Sequence, residues 1–191
     1  MPYVWQSPNW PQWRWDAAAL ITPLAALRRK EGRLQCLCEA ISKADRLNLA
    51  AQLLTDETIA TSAIEGLTLA PEEVRAAVDW HLGLGTLGPN PSHEVDSLVV
   101  LLAAAGRSTE TLTAERLFSW HQALLTGHRD LRVGQWRRDA MRVISRRGER
   151  TILHFEAPPA DRVPSEMAQF LSWWHGDSQN MDGLLRAALA N

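Results

Sequence analysis

The residues best suited by type and spacing to do chemistry are Thr61, Glu65 and Gly66, in the run Thr61-Ser62-Ala63-Ile64-Glu65-Gly66. On a helix, Thr61 and Glu65 are four apart and share a face, and the glycine that follows can take the left-handed backbone that ends the helix. Glu65 then lies in the last turn, where the carbonyl end of the helix dipole disfavours an anion by about half a kcal/mol. A carboxylate placed against that field invites a cation from elsewhere, so the expected chemistry is an ion pair. Thr61 and Ser62 can hydrogen-bond at the same surface, or bond back to carbonyls of the preceding turn, the commoner fate of such residues inside a helix.

A second concentration of charge lies further on. The span 137–150 holds Arg137, Arg138, Arg142, Arg146, Arg147 and Arg150 against Asp139 and Glu149. Within it, Val143-Ile144 and Thr151-Ile152-Leu153 flank Arg146-Arg147-Gly148-Glu149, which predicts a β-hairpin. Nucleic acid phosphates are one partner for such a patch, and a solvated hairpin covered with arginines is the plainer reading. The histidines His81, His93, His121 and His128 form no i, i+4 metal pair, and G-x-S-x-G, H-E-x-x-H and P-loop patterns do not occur. Metal held by side chains of this chain alone is not expected.

Helices must position these residues, because the apolar spacing is mostly helical. Asp16 is suited to cap a helix through Leu20, Leu24, Leu27, Leu34 and Leu37, kinked by Pro23. The next runs from about Lys43 to Glu65. Its apolar side is Leu53, Ala60 and Ile64 with Ile59 and Ala63, and Glu57, Thr58, Thr61, Ser62 and Glu65 lie on the other. Pro71 opens a third helix carrying Glu72 and Glu73 in its first turn and Val74, Val78 and Leu82 along it. Ser92 and Thr113 cap two more, and helices resume after Pro164 and from Asp182. The loop Gly83 to Pro91 divides an N-terminal part, 1–85, from a C-terminal part, 92–191.

With 191 residues and 46% hydrophobic content the chain can bury a core, and 20 basic against 22 acidic residues give it no global attraction to nucleic acid or an anionic membrane. Cys36 and Cys38, two apart on a helix, point in well-separated directions and are expected to be reduced and packed. No basic segment precedes an apolar run at the N-terminus, and no apolar stretch approaches membrane-spanning length, so a cytoplasmic protein is expected. Trp5, Trp10, Trp13 and Trp15, with prolines between them, are read as an extended strap over the helical bundle whose indoles supply packing area, not a ligand platform.

The segment Thr61 to Gly66 resembles the inhibitory motif [S/T]-x-x-x-E-[G/N] of Fic-domain proteins. Other segments resemble the family in order: the start Tyr3-Val4-Trp5, Asn9-Trp10-Pro11 and Trp13-Arg14-Trp15-Asp16, then Leu117 to Leu125 with Trp120-His121, Gly134-Gln135-Trp136-Arg137, and His154-Phe155-Glu156-Ala157-Pro158-Pro159. The resemblance extends over essentially the whole chain and implies an all-α, Fic-like bundle with one small hairpin flap. It also implies transfer of AMP from MgATP to protein hydroxyls, held back by Glu65 with Thr61, Ser62 and Gly66 around it. The flap residues Val143, Ile144, Ser145, Thr151, Ile152, Leu153 and His154 would dock the target.

The family's active-site signature H-x-F-x-[D/E]-G-N-G-R-x-x-R is absent from this sequence. The resemblance therefore implies the regulatory and target-positioning portion of such an enzyme, inactive alone, with ATP and magnesium engaged only alongside the missing segment. Expected partners are a protein target or a Fic catalytic segment. A second copy is a further expected partner, through an apolar face of Leu184, Leu185, Ala188 and Leu189; nucleic acid and membrane are not expected. The alternative is a non-enzymatic helical protein that binds a partner through the Glu65 helix and the hairpin.

Overall fold

In a computed structural model the described residues are 3–85, 91–107, 110–125, 132–148 and 150–190. They form seven helices and one antiparallel hairpin: α1 (Ala17–Ala40), α2 (Lys43–Ile64), α3 (Pro71–His81), α4 (His93–Arg107), α5 (Ala114–Leu124), β1 (Arg142–Arg147), β2 (Arg150–Glu156), α6 (Val163–His175) and α7 (Gly183–Ala190). The fold is all-α with a single two-stranded sheet.

Helix starts follow local chemistry. The Asp16 carboxylate accepts from the backbone N–H groups of Ala18 and Ala19 at α1, and Ser42 accepts from that of Asp45 at α2. The Thr113 hydroxyl accepts from the N–H of Arg116 at α5. Pro71 occupies the first turn of α3, where its missing N–H costs nothing.

The chain divides into two compact units, and the division differs from the split expected at Gly83–Pro91, of which 86–90 lie outside the described residues. One unit comprises 16–111 and 120–126; the other joins the first fifteen residues to 112–119 and 127–191. The tryptophan strap thus belongs with the hairpin and α6, not with the N-terminal helices. Its indole N–H groups explain this: Trp5 Nε1 donates to the Glu156 carbonyl at 2.7 Å, and Trp10 Nε1 donates to Glu166 Oε2 at 3.0 Å. Tyr3 also meets Phe155 edge-on, at 5.2 Å between ring centres.

In the first of these units, α2, α3 and α4 pack around Ala51, Val74, Ala77, Val78, Val95 and Val99. Residues this small let helix backbones approach closely and leave no space for long side chains. α1 buries none of its residues completely, and Ile21, Leu34 and Leu37 on it are exposed. Cys36 is exposed and Cys38 half-buried; both are free thiols, so the expected packing of Cys36 is not found. Among the described residues no element packs extensively on α1.

In the other unit, Phe118 packs edge-on against Trp136 with ring centres 4.5 Å apart. The end of α6 is closed by a cluster around the Trp174 carbonyl, which accepts from Ser178 Oγ, Gln179 Nε2 and an Arg186 amino group. The Arg186 guanidinium also lies 3.5 Å above the Trp174 ring, a cation–π contact that fixes α7 to α6. On α7, Leu184 and Ala188 are exposed while Leu185 and Leu189 are half-buried. No described helix is long and apolar enough to cross a membrane.

Candidate functional site

The end of α2 carries the motif found in the sequence, but the helix is turned about from the expected arrangement. Thr55, Thr58 and Ser62 are buried against the core, whereas Leu53 is 59% exposed and Ile64 83% exposed. Ala60 and Ala63 are exposed too, and Ile59 is half-buried. Size and local hydrogen bonding account for the inversion. Thr55 Oγ1 donates to the Ala51 carbonyl at 2.8 Å and Thr58 Oγ1 to the Leu54 carbonyl at 2.7 Å, so these hydroxyls enter the core already satisfied. With Ala51 they present a face small enough to match Ala77 and the valines.

Ser62 continues that face, and its hydroxyl has no hydrogen-bond partner among the described residues. Thr61, one position earlier, is exposed with Glu65, so the two hydroxyls point to different surroundings instead of sharing one surface. Glu65 is the C-cap residue, immediately past the last helical residue Ile64, and no cation among the described residues pairs with its carboxylate. Gly66 takes φ +79°, the left-handed backbone expected of it. The N–H of Leu67 then reaches the Ser62 carbonyl at 2.9 Å and that of Gly66 the Ala63 carbonyl at 3.1 Å, which closes the helix end in a Schellman turn. Any side chain at position 66 would strain this turn, although nothing lies within 4 Å of an added Cβ.

The hairpin residues named from sequence all lie on its strands. Val143, Ile144 and Ser145 are in β1, and Thr151, Ile152, Leu153 and His154 in β2. The register pairs Arg142 with Glu156, Ser145 with Ile152 and Arg147 with Arg150, and it slips between Val143 and Ile144. The slip places His154 where its Nε2 meets Ser145 Oγ at 2.7 Å. Gly148 makes the turn at φ +58°; Glu149 lies outside the described residues. Since β1 and β2 form a two-stranded sheet, each has one edge that pairs with no third strand among the described residues, although the Glu156 carbonyl at the end of β2 is taken by Trp5.

The arginines near the hairpin divide by role. Arg137 donates to the carbonyls of Asp139 and Pro158, a structural use. Arg142 pairs with Glu156 at 2.7 Å. Arg138, Arg146, Arg147 and Arg150 are exposed and have no ion-pair partner among the described residues.

Comparison with known proteins bears on the fold that carries these residues. Residues 3–84 match the model of a domain of unknown function, DUF4172. A Fic family protein from Desulfovibrio desulfuricans G20, known from its crystal structure, is similar over 94% of this chain with 28% sequence identity and a TM-score of 0.67. The chain is Fic-like. It spans about half of that protein, 51% of its length. No curated protein matches it in sequence.

What sequence reasoning missed in this Fic-like chain is the outward stripe of Leu49, Leu53 and Ile64 on α2. A signal for it was present. Ala51, Thr55, Thr58 and Ser62 recur at spacings of four, three and four, which is the spacing of a buried helix seam made of small residues.

Proposed function

We propose that this chain is the regulatory and target-positioning portion of a Fic protein adenylyltransferase, which passes AMP from MgATP to hydroxyls of a target protein. The observation that carries the reading is the inversion of α2: the hydroxyls of Thr55, Thr58 and Ser62 face the core, while Leu53, Ile64 and Glu65 face outward. A helix end that offers aliphatic footing beside an unpaired carboxylate is fitted to seat on another surface and present that carboxylate to a cation. In a Fic enzyme the cation would be the last arginine of the glycine-rich signature. A charge-assisted pair with Glu65 would withdraw it from the nucleotide and hold the enzyme inhibited.

The nucleotide itself does not fit the residues of this chain. The glycine-rich signature is not in the sequence, and the N-termini of α1 and α2 are occupied otherwise. Asp16 and Ser42 take the first N–H groups of α1 and α2, and prolines stand in the first turns of α3 and α6. Among the described residues these helix starts offer no glycine-rich phosphate cradle, and no step of transfer is assigned to them. The hairpin supplies the target-positioning part, its free edges receiving an extended segment of the target by strand addition.

Two measurements test the reading. The 191-residue chain incubated with labelled ATP and magnesium should leave itself and added proteins unlabelled. In a protein that carries this chain together with the signature, Glu65→Gly should raise AMP transfer by about tenfold or more, the size of a typical regulatory coupling. Robust labelling by the chain alone, or unchanged transfer in the Gly variant, would sink the proposal.

A further inference from the structure

We infer that the segment received by the hairpin is acidic: an extended peptide with Asp or Glu at alternate positions, held by Arg147 and Arg150. The inference rests on the strand-docking reading of the same hairpin and names the chemistry of its ligand. Its first support is an electrostatic cost inside the fold. Arg147 and Arg150 are direct cross-strand partners, so their side chains lie on one face of the sheet, and like charges directly opposite destabilise a strand pair.

Nothing among the described residues relieves that repulsion. Neither arginine, nor Arg146 beside them, has an ion-pair partner there. Between Arg142 and Phe155 the sequence offers a single carboxylate, Glu149, against Arg146, Arg147 and Arg150, while the whole chain carries a net charge of -2. The hairpin tip is therefore a local positive site on a mildly acidic protein.

Geometry selects the kind of anion. A strand added to either edge continues the pleat, so its side chains at every second position share the face of Arg147 and Arg150. A carboxylate at such a position reaches the guanidinia laterally and turns a repulsive pair into a bridged one. Backbone N–H and C=O groups along the free edge match a peptide, and a nucleic acid has no ladder to offer them.

The test is fluorescence anisotropy with the intact chain and three labelled, capped decapeptides that alternate threonine with glutamate, glutamine or lysine. A ten-nucleotide oligothymidylate serves as competitor. The glutamate peptide should bind about tenfold tighter than the glutamine peptide at low salt, an advantage that shrinks as salt rises, and the lysine peptide should bind weakest. Arg147→Gln with Arg150→Gln should bring the glutamate peptide down to the level of the glutamine peptide. Arg29→Gln with Arg33→Gln, the same charge change on exposed positions of α1, should leave the advantage intact.

Equal binding of glutamate and glutamine peptides would overturn the acidic preference and leave strand docking standing. Binding of neither would remove both. Stronger competition by oligothymidylate, or equal losses in the α1 variant, would show general attraction of anions and also overturn the inference.

Discussion

The two compact units solve the problem of holding together in different ways. Among the described residues, every fully buried apolar side chain lies on α2, α3 or α4, and all six are alanine or valine. Among the described residues of the unit built from the strap, the hairpin, α6 and α7, Ser178 alone is completely buried. It relies on aromatic rings with polar edges: Trp5 and Trp10 donating N–H groups, Tyr3 on Phe155, Arg186 over Trp174. A core of small residues excludes water and is intolerant of change. Rings with a bonded edge and an exposed face hold position while leaving apolar surface available. The first arrangement suits a rigid support for the α2 terminus, and the second suits a surface that receives other chain segments.

The sharpest test of this contrast is a charge in the small core. Val78 is fully buried on α3, and Val78→Asp would leave an unpaired carboxylate among valines and alanines, at a cost of about 4 kcal/mol or more. Far-UV circular dichroism should show loss of helix and of a cooperative melt. Retained helicity with an unchanged melting temperature would mean that α2–α4 do not form a closed core, and the contrast would collapse.

Much of the architecture was legible because it is written in short-range chemistry. Asp16, Thr113, Pro71 and Gly66 act through neighbours within a few residues, and the hairpin is announced by a glycine turn between two β-branched or apolar runs. The facing of α2 was not legible from apolar content, since Thr55 and Thr58 satisfy their own hydroxyls and pass for apolar residues in the core. The attachment of the strap was hidden as well. It depends on Trp5 finding a carbonyl 151 residues away, and no local pattern encodes that distance. At the candidate site, Thr61, Glu65 and Gly66 could be placed from spacing alone, while the exposed aliphatic stripe beside them was legible only through the small-residue seam of Ala51, Thr55, Thr58 and Ser62 on the opposite face.

The ring-built unit should answer to a gentler change. Trp5→Phe keeps an aromatic ring near Tyr3 but deletes the N–H that donates to the Glu156 carbonyl, a loss of about 1 kcal/mol. Hydrogen exchange of amides at the end of β2 should accelerate by about fivefold, the Boltzmann equivalent of that loss. Unchanged exchange there would mean that ring packing alone anchors the strap, and the N–H groups would drop out of the comparison.

The smallest effect separates the units by pH. In the α2–α4 unit a polar tie joins α3 to the start of α4, where the Ser92 N–H donates to Glu73 Oε1 at 2.7 Å. The Ser92 amide and hydroxyl hold the Glu73 carboxyl below its usual value. Because the folded pKa is depressed, the tie contributes fully above the unfolded pKa of about 4.3 and is lost as pH falls through the lower folded value. The Trp5 tie to the Glu156 carbonyl contains no titrating group. On acidification, the Ser92 amide resonance should therefore move with an apparent pKa below 4.3, and Glu73→Gln should abolish that movement. The Trp5 indole N–H resonance should stay in place through the same range. A Ser92 amide that does not respond to acid would remove the carboxylate from the list of forces that join α3 to α4, and the helices would then be held by the valines and alanines between them.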